Sequence, residues 1–408
     1  MPLAALIAAQ DQTDIGDGLR ATLPLAGRTL IEHQAGLAIA AGAAHIVVLV
    51  ERVPAVLAQA VDRLRRQGAR IEIARSVADA IDRFHPSEKI LLVADGAVAA
   101  QGAVDALAGT EEGSALLALP DDQDHAAFER IDAAERWAGY ALLDKALLEA
   151  TARMLGDWDL TSTLLRRLVQ DDAARISALD PSGERPLPPP VLAIGPAAIG
   201  TIEAGLLRRA DPGEGNWVEL YLHRLVAGPL IGPLIARQID QRLVAGVAVG
   251  IAWFAALLAG FKLFWGAALL LPLAAATASA ARRMARIWGG VAEPTALVAL
   301  ARHAAALAAL LLLARLLVDE GGWGWWLVAA LLPAALAGAG ALETIVAAIR
   351  PSPSPRWLAS ADALVWLAPA VAVLGGWRWM LAALTAYAVL SFVERFATAW
   401  KGARICDS

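Results

Sequence analysis

The sequence predicts an α/β Rossmann-like soluble domain followed by an all-α polytopic membrane domain of about six transmembrane helices. Three observations lead there. Over residues 1–178 short apolar runs of β type alternate with segments of helical period. Hydrophobic residues make up 58% of the chain, yet of its 40 acidic residues only Glu293, Asp319, Glu320, Glu343, Asp362, Glu394 and Asp407 follow Asp240, so charge is segregated into the first half. The second half consists largely of apolar stretches near the ~20 residues that a bilayer-crossing helix needs.

In the first half the β-type runs are Ala4 to Ala9, Ile46 to Val50, Ile71 to Ala74, Ile90 to Ala94 and Ala115 to Leu119. The opening stretch Met1 to Ala9 is apolar for too few residues, and lacks the basic start of a signal peptide, so it reads as the first buried strand. Alternation of this kind makes a mostly parallel sheet covered by helices, whose ligands bind beyond the carboxyl ends of the strands. Two segments lie there: the loop Gln10 to Arg20, with Gly16 and Gly18 for its turns, and Asp95-Gly96. Residues 179–200 contain Asp180 to Pro190, too rich in proline for a packed element, and read as a hinge.

Residues 201–242 form an amphipathic segment. Trp217 to Asp240 mixes apolar side chains with Glu219, Arg224 and Arg237 and carries Gly-Pro at 228–229 and 232–233. That pattern fits a proline-kinked interfacial helix, or equally a connecting helix packed on the bundle. Within 243–400 the predicted spans are 243–259, 263–281, 295–318, 323–349, 361–376 and 378–394, and 401–408 is a tail. Basic residues at span ends (Arg237, Arg242, Arg282, Arg283, Arg286, Arg350, Arg356, Arg395, Lys401, Arg404) fall on one side, against Lys262 and Arg378 on the other. The expectation is an inner, cytoplasmic-membrane protein with both termini in the cytoplasm, and with Trp323, Trp325, Trp326, Trp377 and Trp379 at the far interface.

The net charge of −5, with no basic stripe interleaved with aromatics, speaks against a nucleic-acid partner. Cys406 is the single cysteine, which excludes intrachain disulfides and multi-cysteine metal sites. Arg302, His303 and Arg315 inside the third span are costly charges that call for a polar cavity or a partner. Arg315 is placed to snorkel; Arg302 and His303 either meet an anionic headgroup or pair with Glu343 or a backbone carbonyl.

The stretch Leu23 to His33, followed by Ala41-Gly42-Ala43 and Ile46 to Val50, resembles the start of sugar-phosphate and molybdenum-cofactor nucleotidyltransferases. Asp95-Gly96 resembles that family's metal-bearing aspartate, and Trp137 to Tyr140 and Trp158 to Leu165 its later elements. The resemblance implies a loop that wraps a nucleotide triphosphate with paired glycines, an arginine and a final lysine. Here those positions hold Gln10 and Asp11, Ile15 and Arg20, and Asp11, Asp14 and Asp17 put negative charge where phosphates belong. Arg20 and Asp95 are the residual nucleotide-site candidates.

Such a domain ahead of six spans resembles the fused cytidylyltransferase and CDP-alcohol phosphatidyltransferase proteins. That resemblance implies a metal-binding motif at the end of the second span: Asp-Gly-x-x-Ala-Arg, eight residues, Gly, three, Asp, three, Asp. This chain reads Thr277 to Arg286 there, only Ala285-Arg286 answers to the motif, and no acidic residue lies between Asp240 and Glu293. The sequence therefore assigns no catalytic residue, no metal ligand and no cofactor. It predicts a pseudoenzyme with a scaffolding, regulatory or lipid-binding role in phospholipid or sphingolipid headgroup synthesis. Arg282, Arg283, Arg286, Arg302 and His303 are the candidate phosphate or lipid contacts. Membrane lipids, active lipid-biosynthetic enzymes and a second copy of the chain are the candidate partners. The alternatives are a diverged CDP-alcohol transferase using His303 and Glu343, for which Mg²⁺ would be needed, and a component of a lipid transporter.

Overall fold

A computed structural model describes residues 2–13, 18–110, 113–156, 158–181, 183, 186–210, 216–237, 239–287, 295–349 and 356–406. The chain divides into two compact units: an α/β unit whose main part is Met1–Arg208, and a helical unit that holds Arg209–Arg286 and Glu293–Ser408.

The α/β unit is built on a seven-stranded sheet of β1 (Leu3–Ala8), β2 (Ala43–Leu49), β3 (Ile71–Ala74), β4 (Lys89–Val93), β5 (Ala115–Pro120), β6 (Glu135–Asp144) and β7 (Ala174–Ser177), in the order β7-β5-β6-β4-β1-β2-β3. All neighbours run parallel except β6, which is antiparallel to both β4 and β5. Alternation along β1 and β2 sorts the two faces. Ala5, Ile7, Ile46 and Val48 enter one core, and Ala4, Leu6, Val47 and Leu49 the other, each covered by helices. The first helix, α1 (Leu30–Ala40), starts from a capping box of Thr29 and Glu32, and Glu32 is further held by Arg63 at 2.8 Å.

Five of these strands were legible as apolar runs; β6 and β7 were not. β6 is buried along most of its length, so its Trp-Ala-Gly-Tyr-Ala-Leu-Leu carries no alternation, and β7 is a largely exposed four-residue edge strand. The hinge is also shorter than the sequence placed it. Val191–Leu192 pair with Ala97–Val98, and α2 (Pro196–Ala210) belongs mainly to the α/β unit, where the Glu203 carboxylate accepts from the Ala26 N–H at 2.6 Å. Residues 179–200 are therefore partly a packed extension, and Ser182, Glu184 and Arg185 lie outside the described residues.

The helical unit opens with a π-helical turn, Val218–His223, that runs into α3 (Arg224–Ala236), with Pro229 and Pro233 inside. Then come α4 (Gln241–Gly260), α5 (Phe264–Ile287), α6 (Thr295–Gly321), α7 (Gly324–Ile349) and α8 (Ala361–Cys406). Five helices are long and apolar enough to cross a membrane. The last, at 46 residues, is too long for one crossing of a ~30 Å hydrocarbon core at 1.5 Å per residue. Gly376 breaks it with φ 76 and ψ 177, outside helical space. The chain doubles back there, because Ala359 N–H donates to Ser391 Oγ at 2.9 Å and Tyr387 OH to the Trp357 carbonyl at 2.5 Å, pairs that straddle Gly376 almost symmetrically. The two halves match the predicted fifth and sixth spans. Trp377 packs on Trp265 at 4.8 Å and Arg378 reaches Glu320 at 3.3 Å, so the Gly376 turn lies level with the α4–α5 and α6–α7 connections.

Candidate functional site

In the α/β unit the strand order reverses between β1 and β4, and the loop after β1 meets Asp95 after β4 at that switch point, as sheets of this kind place their ligands. The described ends of the loop bond to each other. Thr13 N–H donates to the Gly18 carbonyl at 2.8 Å and Arg20 N–H to the Asp11 carbonyl at 2.9 Å, closing it on itself. Asp14, Gly16 and Asp17 lie outside the described residues. The Asp11 N–H donates to Asp95 Oδ2 at 2.7 Å, and Arg20 Nη1 pairs with the Asp11 carboxylate at 2.7 Å. Both sequence candidates, Arg20 and Asp95, are thus brought together through Asp11. Burial, with the Asp11 carboxylate adding to it, pushes the Asp95 carboxyl up to about 7. A divalent ion needs ionised carboxylates in number. Among the described carboxylates Asp11 is tied to Arg20, and burial holds Asp95 toward its neutral form.

The switch point is braced from behind. Gly96 has φ +76 and faces the Ala193 backbone, and Gly139 has φ +85 with its α-carbon so near Ala97 that a β-carbon there would sit 2.4 Å from the Ala97 β-carbon. Tyr140 is fully buried and donates to the Ala97 carbonyl at 3.1 Å.

In the helical unit the last turns of α5 present Arg282 and Arg283. Arg282 Nη2 lies 3.2 Å from Glu219 Oε1 and 3.5 Å from Asp362 Oδ2, and Arg283 Nη2 donates to the Glu219 carbonyl at 3.3 Å. From α6, Arg302 Nη1 pairs with Asp362 Oδ1 at 2.6 Å and its Nη2 contacts His303 Nε2 at 3.2 Å. The sequence offered Arg302 an anionic headgroup, or a pairing with Glu343 or a backbone carbonyl. The structure corrects this: Asp362, at the start of α8, takes Arg302, while Glu343 is held by Arg395 at 3.2 Å. Arg282, Arg302 and His303 are therefore brought together around Asp362, and Arg283 joins them through Glu219. Arg286 is exposed on the last turn of α5.

Sequence reasoning missed Glu219, His223 and Asp362. His223 is fully buried and accepts from Trp366 Nε1 at 3.1 Å, and burial pushes its imidazole down to about 4, so it is neutral. Asn216 on the same stretch contacts Ser360. A signal was present for Asp362, since an acid inside an apolar span demands a partner. Glu219 gave none, because it stands in a mixed segment where a surface position is the ordinary reading. The region is thus an arginine–carboxylate lattice, with two carboxylates reaching the basic end of α5 from far along the chain. Each is already engaged by guanidinium groups, and among the described residues no group of three His, Asp, Glu or Cys side chains is placed to hold a metal ion. The described residues of this set do not fit Mg²⁺.

Topology and composition define the class: a Rossmann-like α/β unit on the same chain as a helical unit of membrane-spanning type. No protein-family model matches the chain, and no curated protein matches its sequence. Among solved structures it is similar to the inositol-1-phosphate CTP transferase from T. maritima, at 14% identity and TM-score 0.35, covering 43% of this chain and 84% of that one. It is similar to a putative glucose-1-phosphate thymidylyltransferase from Bacillus anthracis, at 11% identity and TM-score 0.37, covering 50% and 94%. A nucleotidyl transferase from Methanothermobacter thermautotroptrophicus gives 15% identity and TM-score 0.31, covering 43% and 87%. These likenesses carry no activity over to this chain.

Proposed function

We propose that this chain is a membrane pseudoenzyme built like the fused nucleotidyltransferase and CDP-alcohol phosphatidyltransferase proteins, and that it binds lipid in a scaffolding or regulatory role in phospholipid or sphingolipid headgroup synthesis. It resides in the cytoplasmic membrane with both termini in the cytoplasm. The observation that carries the reading is the fate of Asp362: the carboxylate best placed to serve chemistry at the end of α5 is clamped between Arg302 and Arg282. A carboxylate so held neither binds a divalent ion nor takes a proton from an acceptor hydroxyl. The closed loop over Asp95 supports the same reading in the α/β unit. Arg286, exposed on the last turn of α5, would face lipid phosphates directly, as cations at a membrane surface do, with Arg282 and Arg283 behind it.

The test is to incubate the purified chain with CDP-alcohols and Mg²⁺ or Mn²⁺. No CMP is expected; metal-dependent CMP release abolished by Asp362→Asn would establish the diverged transferase instead.

A further inference from the structure

The helical unit holds a half-open cavity of about 650 Å³, within the ~300–1,000 Å³ of small-ligand sites. Its lining is almost wholly aliphatic and aromatic, and its few charged groups are gathered at one end. Arg302 on α6, Glu343 on α7 and Arg395 on α8 all line it. Counted from the connections near Gly321, Gly324 and Trp377 at 1.5 Å per residue, each lies ~27–29 Å along its helix, so the three share one depth. Phe264 and Trp377 line the opposite end. The cavity is thus a long apolar shaft with a charged ring at one end, comparable in length to the ~30 Å hydrocarbon core.

The ring is not satisfied by its own ion pairs. Asp362 and Glu343 each take a terminal nitrogen of Arg302 and Arg395, but the Nε–H of both arginines is buried without a hydrogen-bond partner. Arg302 is only 5% exposed. On the lining itself Arg302 and Arg395 stand against Glu343 alone, two cations to one anion, and that excess of positive charge at one end of an apolar wall fits an anionic head. Water alone is a poor occupant, because below the ring the shaft is lined by residues such as Leu310, Leu336 and Leu384 that offer it no partners.

We propose that this cavity binds one amphiphile with an oxyanion head against Arg302 and Arg395 and a hydrocarbon tail along the shaft. The shared chemistry is an anionic head on a long chain, supplied either by a phosphate-headed lipid or by a free fatty acid. The assignment rests on the lipid-binding reading above. CMP release would defeat that reading without moving the binding measured here, and an empty shaft would defeat this one without restoring catalysis.

The full chain, purified in mild detergent, is titrated with dioleoyl phosphatidic acid, with oleate and with dioleoyl phosphatidylcholine, and followed by native mass spectrometry. One equivalent of phosphatidic acid or of oleate is expected, whichever binds tighter naming the source, with phosphatidylcholine at least about tenfold weaker. Ala306→Trp fills the shaft without touching a charge, and Arg395→Leu removes one donor. Each is expected to weaken anionic binding about tenfold while the unfolding temperature holds. If Ala306→Trp does not fold, Leu336→Phe replaces it. Equal binding of phosphatidylcholine, or unchanged binding by a folded shaft-filled variant, overturns the proposal.

Discussion

Arg302 and Asp362, sixty residues apart on α6 and α8, form a pair at 2.6 Å in which both side chains are nearly buried, at 6% and 12% exposure. Asp362 has a second cation in Arg282, whereas Arg302 has no second carboxylate within ion-pair distance among the described residues. The two removals are therefore unequal. Asp362→Ala strands a buried guanidinium and is expected to cost about 3–5 kcal/mol, while Arg302→Met leaves Asp362 with Arg282 and costs about half of that. Thermal unfolding of both variants in detergent checks the order. Equal losses would mean that Arg282 does not share the load.

The pH response of the α/β unit follows from Asp95. Its folded value of about 7 stands above the ordinary 3.8, so between those values the folded chain holds the extra proton. The contribution is full below pH 3.8 and drains away as pH rises through 7. Asp95→Asn imitates the protonated acid and keeps an acceptor for the Asp11 N–H. The variant is expected to match the wild type near pH 4 and to exceed it by about 4 kcal/mol at pH 8. Unfolding measured at both values decides it, and a gain at pH 4 as large as at pH 8 would rule the linkage out.

A nucleotide that binds only the folded state raises the unfolding temperature, by about 2.7 kcal/mol of stability at one hundred times its Kd. With the loop closed on Asp95 by Asp11 and Arg20, CTP with Mg²⁺ is expected to produce no shift at millimolar concentration. A clear rise, lost on Asp95→Asn, would show a working nucleotide site.

How much of this was legible depends on the range of the signal. The first-half strands β1 to β5 announce themselves because each is a short local apolar run, and the six helical passes because hydropathy is a sum over neighbours. Even the break at Gly376 lies where the fifth and sixth spans were separated. The site was half legible. A charged residue in an apolar span is conspicuous, so Arg302 and His303 were found, but a partner is a matter of topology. Asp362 meets Arg302 only because α8 begins at the same depth, and Glu219 meets Arg282 only because the π-helical turn lies beside the end of α5. Spacing along the chain encodes neither. The same holds for the loop over Asp95: the acids in it were readable as hostile to phosphates, whereas its closure through Asp11 was not.

Two glycines offer a test of backbone against packing. Gly139 and Gly376 both have positive φ, at +85 and +76. A β-carbon at Gly139 would lie 2.4 Å from that of Ala97, in the fully buried middle of β6, whereas at Gly376 nothing lies within 4 Å. Gly139→Ala therefore meets strain and collision together, and Gly376→Ala meets strain alone. The ψ of 177 at Gly376 places it in a region essentially reserved for glycine, where a side chain costs about 1–3 kcal/mol. Gly139→Ala is expected to cost more than that and to disturb the switch point, because β6 carries the carbonyl that accepts the Ala94 N–H one residue before Asp95. Unfolding of the full chain, followed by near-ultraviolet signals, ranks the two. If Gly376→Ala proved the more damaging, the reversal between the fifth and sixth passes, not the bracing of the α/β sheet, would be the more tightly determined feature of the fold.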